Sequence, residues 1–123
     1  MTDKKTNKKI IIVEDELDIG EIMQITLVGA GYQVKVLLNG KDIEDHIKKF
    51  DPSLILMDLW MPGLDGSSLT KKLKINKETK NIPIIIVSAC NALAKTAKSC
   101  GADGFLSKPF DIKNLISIVK KFI

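Results

Sequence analysis

At 123 residues, with 45% apolar and 28% charged side chains, the chain is long enough to bury one continuous core and offers no composition break that would mark a second domain. The net charge of +4 rests on 19 basic residues, all of them lysine. Without arginine there is no bidentate reader of guanine or phosphate, and 5% aromatics make no base-stacking platform, so direct nucleic-acid binding is not expected.

Residues 1–8 are polar and lysine-rich, with none of the apolar region of a secretory signal, and are read as a disordered leader to a cytoplasmic domain over 9–123. Lys9 to Val13 is apolar and β-branched almost throughout, which suits a strand covered on both faces. Ile19, Ile22, Met23, Thr26, Leu27 and Ala30 then recur at helical spacing, with Gly31 as a C-terminal cap. Gln33 to Leu37 alternates polar and apolar residues, the pattern of an edge strand with one wetter face. Ile43, Ile47 and Phe50 mark a second helix ended by Asp51-Pro52, Leu54 to Met57 a third strand, and Leu69 and Leu73 a third helix starting after Gly66. Ile82 to Val87 reads as the fourth strand, and the uncharged stretch it opens is far too short to span a membrane. Leu93, Ala97 and Cys100 mark a fourth helix closed by Gly101, Gly104 to Ser107 a short fifth strand, and Ile112, Leu115, Ile116, Val119 and Phe122 a last helix. Strands alternating with helices predict an α/β domain built on a parallel sheet. Cys90 and Cys100 are too few for a disulfide framework or a zinc site and are read as buried small hydrophobes.

In an open parallel sheet, ligands bind beyond the carboxyl ends of the strands. There the first apolar run leads into Glu14-Asp15-Glu16, the third into Asp58, the fourth into Ser88 and the fifth into Lys108-Pro109. Carboxylates sharing a cleft repel one another unless a cation lies between them. With only hard oxygen donors and no His or Cys in the set, that cation is expected to be Mg²⁺ rather than zinc or copper. A carboxylate beside Mg²⁺ can attack a phosphoryl group and form an aspartyl phosphate, while a lysine and a hydroxyl neutralise the spread charge.

The runs Ile12-Val13-Glu14-Asp15-Glu16, Leu56-Met57-Asp58-Leu59-Trp60-Met61-Pro62-Gly63-Leu64-Asp65-Gly66, Val87-Ser88-Ala89 and Gly101 to Phe110 resemble, in order and spacing, the receiver domains of two-component response regulators. The resemblance implies a flavodoxin-like (βα)5 three-layer sandwich with five parallel strands in the order 2-1-3-4-5. It implies that Asp58 is the phospho-acceptor, that Glu14 and Asp15 form the acidic pocket, and that Asp15, Asp58 and the main-chain carbonyl of Trp60 hold Mg²⁺. Lys108, followed by a cis peptide to Pro109, would pair with acceptor and phosphoryl oxygens, and Ser88 and Phe105 would be the two switch positions. The phosphoryl donor would be a sensor histidine kinase or a histidine phosphotransfer protein, and the output a change of shape read by a downstream protein. The chain would then be a regulator rather than an enzyme, with self-catalysed phosphotransfer and dephosphorylation.

Blander readings stand beside these. Asp58 could cap a turn, Lys108 could be a surface lysine, Ser88 an ordinary strand-end hydroxyl and Phe105 plain core. Trp60 is read as an exposed aromatic that tunes water access or covers its loop, His46 as solvent-exposed, and Gly63 and Gly66 as turn glycines. The stretch from Ser88 to Lys108 reads as about two residues shorter than the family's usual length, which bears on the signalling face of helix four, strand five and helix five. An aspartate-nucleophile phosphatase would need an Asp-x-Asp pair where this chain has Asp58-Leu59-Trp60. A flavin or nucleotide binder would need a glycine- or hydroxyl-rich loop where this chain is acidic. A receiver degenerated to an interaction module would lack some of the acids, the hydroxyl or the lysine, and this chain has them all.

Overall fold

The computed structural model describes residues 8–61, 64–89 and 91–123, so the first seven residues of the expected leader, Gly63 and Cys90 lie outside the described residues. Chain order runs β1 (Lys9–Val13), α1 (Leu17–Gly29), β2 (Gln33–Leu37), α2 (Ile43–Phe50), β3 (Leu54–Asp58), the short β4 (Trp60–Met61) and β5 (Leu64–Asp65), α3 (Gly66–Ile75), β6 (Ile84–Ser88), α4 (Leu93–Ser99), β7 (Gly104–Ser107) and α5 (Ile112–Phe122). The main sheet has the order β2-β1-β3-β6-β7, every pairing parallel, which is the 2-1-3-4-5 order expected.

Alternation along the strands splits the core in two. Ile11, Ile55 and Ile86 point to the face covered by Ile43 and Ile47 of α2, Leu73 of α3 and Leu93 of α4. Ile10, Leu56 and Ile85 point to the other, under Met23 and Leu27 of α1 and Leu115 and Val119 of α5. Strands β1, β3 and β6 are therefore apolar on both faces, and each fully buried isoleucine or leucine contributes roughly 1.5–3 kcal/mol relative to exposure. As expected, Gly31 and Gly101 follow α1 and α4 with positive φ, 102° and 83°.

The structure corrects one strand boundary. Strand β6 begins at Ile84 rather than Ile82, because Pro83 has no N–H for a ladder; only its carbonyl is used, accepting from Ile55 N at 3.0 Å. The carboxyl ends need no correction: β3 ends at Asp58 and β6 at Ser88, as expected. Ile22, counted on the core stripe of the first helix, is 51% exposed, and Ile112 at the start of α5 is 55% exposed. Helix α1 is apolar nearly all round, so its spacing did not separate the face toward the sheet from the face toward solvent. Cys100 is buried as expected.

At the amino ends of β6 and β7, an Asp103 carboxylate oxygen accepts from Lys74 Nζ at 2.8 Å and from Ile84 N at 2.9 Å. This staple ties the end of α3 to the sheet edge and leaves the carboxyl ends of the strands free for chemistry.

Candidate functional site

Four strand ends build the site. Strand β1 delivers Glu14, whose main-chain N–H still bonds to Leu37 O at 2.9 Å, so the residue is held in line with the sheet and its side chain is almost wholly buried. Asp15 follows, half-buried, and the Glu16 N–H closes the turn by donating to Glu14 Oε2 at 3.1 Å. Strand β3 ends in Asp58, 4% exposed. Strand β7 leads to Lys108, whose N–H donates to Ser88 O at 2.9 Å and whose peptide to Pro109 is cis, as the family resemblance implied.

Lys108 Nζ lies 2.7 Å from Glu14 Oε1, 3.7 Å from Asp58 Oδ1 and 3.9 Å from Glu16 Oε1. The surface reading of this lysine is thereby overturned: its side chain is 13% exposed and turned into the acids. Its nearest partner is Glu14 rather than Asp58, a pairing that spacing along the chain does not specify. Burial works against the ammonium charge, but the hydrogen bond it donates to Glu14 and the charges of Asp58, Glu14 and Glu16 outweigh it and hold the lysine above its ordinary value.

Asp58 is pushed the opposite way from most paired carboxylates. Burial and the charge of Glu14 raise it from 3.8 to about 7, against the pull of Lys108 and of the Trp60 N–H, which donates to Asp58 Oδ1 at 3.4 Å. One lysine does not offset three carboxylates. Oxygen atoms of Glu14, Asp15 and Asp58 all lie within 4.8 Å of one another. Three converging hard donors with an uncompensated negative charge fit a small divalent cation.

Ser88, 1% exposed, ends β6 beside this cluster; Val87 is in register with Asp58 and Ser88 with Ser107. Phe105 stands on β7 opposite Ile86 and is 44% exposed, so the core reading of it fails. Trp60 is 70% exposed on the rim, as expected. His46 is half-buried on α2, more enclosed than expected, and outside the cluster.

Two residues gained roles that the sequence did not assign. Glu16 was visible only as the third acid of a run, yet it reaches Lys108. Gly66 was read as a turn glycine, but it opens α3 without a positive φ, and a Cβ there would run into the Asp58 carbonyl oxygen and meet Leu59 Cα at 2.9 Å. What this position requires is close approach of α3 to the acceptor strand.

The model of the response regulator receiver domain matches residues 10–120. The chain is 35% identical over 119 residues to sporulation initiation phosphotransferase F of Bacillus subtilis, covering 95% of this chain and 94% of that one. It also matches two longer relatives, spanning only 48% of the transcriptional regulator RpaA of Synechocystis and 52% of the phosphate regulon regulator PhoB of Rhizobium meliloti. Among solved structures, a response regulator described as putative from Chloroflexus aurantiacus superposes with a TM-score of 0.88 at 29% identity, covering 95% of this chain and 98% of that one. The chemotaxis protein CheY4 of Vibrio cholerae gives 0.87 at 25% identity, covering 96% and 100%. Sheet order, converging acids and lysine, and sequence kinship agree: the chain belongs to the response regulator receiver domains of two-component systems.

Proposed function

We propose that this receiver is a switch in which Asp58 takes a phosphoryl group from a phosphohistidine of a sensor histidine kinase or phosphotransfer protein. The observation that carries the reading is the meeting of buried Glu14 and Asp58, and half-buried Asp15, with Lys108 at one end of the sheet. Glu14, Asp15, Asp58 and the Trp60 main-chain carbonyl would hold Mg²⁺, which when bound supplies charge neutralisation around the transferring group. Asp58 Oδ attacks phosphorus as the bond to the donor nitrogen breaks. Lys108, already 3.7 Å from Asp58 Oδ1, has only a short way to move from Glu14 to a phosphoryl oxygen. The Ser88 hydroxyl, at the end of the neighbouring strand, would close on the same group, and Phe105 would turn inward in its wake.

On this reading the chain acts on its own aspartate and turns over no external substrate, so it is a regulator with self-catalysed phosphotransfer and dephosphorylation rather than an enzyme. The relative's name, a phosphotransferase of sporulation, is in keeping with phosphoryl relay. The donor would rest on the apolar groove between α1 and the segment after β7, formed by Ile19, Ile22, Ala89, Lys108, Pro109 and Phe110, because Lys108 joins that groove to the acids. A second protein would read the switched state. A cytoplasmic location fits a kinase-fed switch, and among the described residues no helix is long and apolar enough to cross a membrane.

Trp60 offers a direct test. Its fluorescence should change on titration with Mg²⁺ and again when beryllofluoride, a mimic of the phosphoryl group, is added. An Asp58→Asn protein should lose the second change. Silence of the wild-type protein in both titrations would count against both the metal site and the acceptor.

A further inference from the structure

We infer that Gly20 is a positioning residue: by carrying no side chain it leaves the stem of Glu14 room against helix α1, and so sets where the Glu14 carboxylate stands between Lys108 and the candidate metal site. Its effect on Mg²⁺ rests on the proposed metal site, while its effect on Lys108 rests on the ion pair alone. Gly20 is buried in the first turn of α1, where its N–H donates to Glu16 O at 3.0 Å. A Cβ there would stand 3.3 Å from Val36 Cγ1, 3.8 Å from Glu14 Cγ and 3.9 Å from Glu14 Cβ. The last residue of the helix, Gly29, is exposed by contrast, and a Cβ there would meet nothing within 4 Å. Glycine inside a helix is costly relative to alanine, so α1 gives up helix stability at a place where it lies against an acid of the site.

The walls around this position are firm. Val36 lies on β2 in register with Ile12 and packs against the core, and its branched Cβ restricts rotation out of the way. Glu14 is held at both ends. Its N–H donates to Leu37 O at 2.9 Å, while its Oε2 accepts from Glu16 N–H at 3.1 Å and its Oε1 meets Lys108 Nζ at 2.7 Å. Between those fixed ends lies the stem, and it is the stem that runs past Gly20. A methyl at position 20 would ask Val36 to give by a few tenths of an ångström and would touch the stem at ordinary contact distance. A γ atom beyond that methyl finds both walls already in contact, so it displaces the stem and the carboxylate with it. Lys108 Nζ has Asp58 Oδ1 as its next partner, at 3.7 Å, and a displaced Glu14 passes the lysine to it. The same displacement moves a metal ligand, and interactions that orient such ligands are worth about ten- to hundredfold in metal affinity.

The test is a double-mutant cycle between positions 20 and 14 on the whole chain. Two quantities are followed: the NMR signal of the Lys108 side-chain ammonium in chelator-treated protein, and Mg²⁺ affinity by calorimetry. Gly20→Val should move the Lys108 signal toward its position in Glu14→Ala and weaken Mg²⁺ binding about tenfold. In the Glu14→Ala background the same substitution should move neither any further, because the stem is gone. Gly20→Ser, with a single γ atom, carries the same test with smaller shifts where valine prevents folding. A Lys108 signal or an Mg²⁺ affinity left unchanged by the Gly20 variants, or an equal displacement with and without the Glu14 stem, overturns the inference and leaves Asp58 as acceptor. A wild-type chain that binds no Mg²⁺ overturns the metal site instead, and the Lys108 signal alone then decides on Gly20.

Discussion

Asp58 is a carboxylate that its own surroundings disfavour as an anion, and this has a measurable consequence for stability. Its value rises from 3.8 to about 7 because it is buried and faces Glu14. Between those two values the unfolded chain releases a proton that the folded chain retains, so stability is fully present below about 4 and is lost as pH rises to about 7. Asp58→Asn should therefore stabilise the chelator-treated protein, on the order of a few kcal/mol at pH 8 and several-fold less at pH 4.5, measured by denaturant unfolding. Mg²⁺ should raise the wild-type midpoint and leave the variant nearly unmoved. A variant no more stable than wild type at pH 8 would mean that Lys108 already compensates the cluster. At this scale the reactive residues were legible because each follows an apolar run: Glu14 and Asp15 after β1, Asp58 at the end of β3, Lys108 after β7. The pairing of Lys108 with Glu14 was not, because a flexible four-carbon side chain chooses among nearby acids by local geometry that spacing along the chain does not encode.

At the scale of elements, the site depends on α3 lying against the acceptor strand, and Gly66 permits that contact. Gly66→Ala would force a methyl group into the Asp58 and Leu59 backbone, which has no flexible side-chain end to give way. Overpacking of this kind costs on the order of 1–3 kcal/mol, and we expect a loss at the upper end together with slower phosphorylation, because relief of the clash displaces Asp58 itself. Unchanged stability and rate would show that the helix start can slide without disturbing the acceptor. The five main strands and five helices were readable from period and punctuation. Strands β4 and β5 were not, since two residues each carry no periodicity. The start of β6 was misread because an apolar count passes over the missing N–H of Pro83.

Over the whole molecule, the parallel order β2-β1-β3-β6-β7 brings acids from β1 and β3 to a lysine that follows the far edge strand β7. Residues remote in sequence meet only because the crossovers put β1, β3 and β6 in the centre, which is why the cluster could be foreseen once the strands were placed at the right ends of their runs. The readout was less visible. Helix α4 is only seven residues long, and Phe105 stands exposed on the strand beside it. Chain spacing marks these positions without stating which protein face meets them. The acceptor assignment itself is tested by the intact mass of the chain after incubation with Mg²⁺ and a small phosphodonor. One added phosphoryl group that is absent from Asp58→Asn is the expected result, and a label that persists in that variant would contradict the assignment of Asp58.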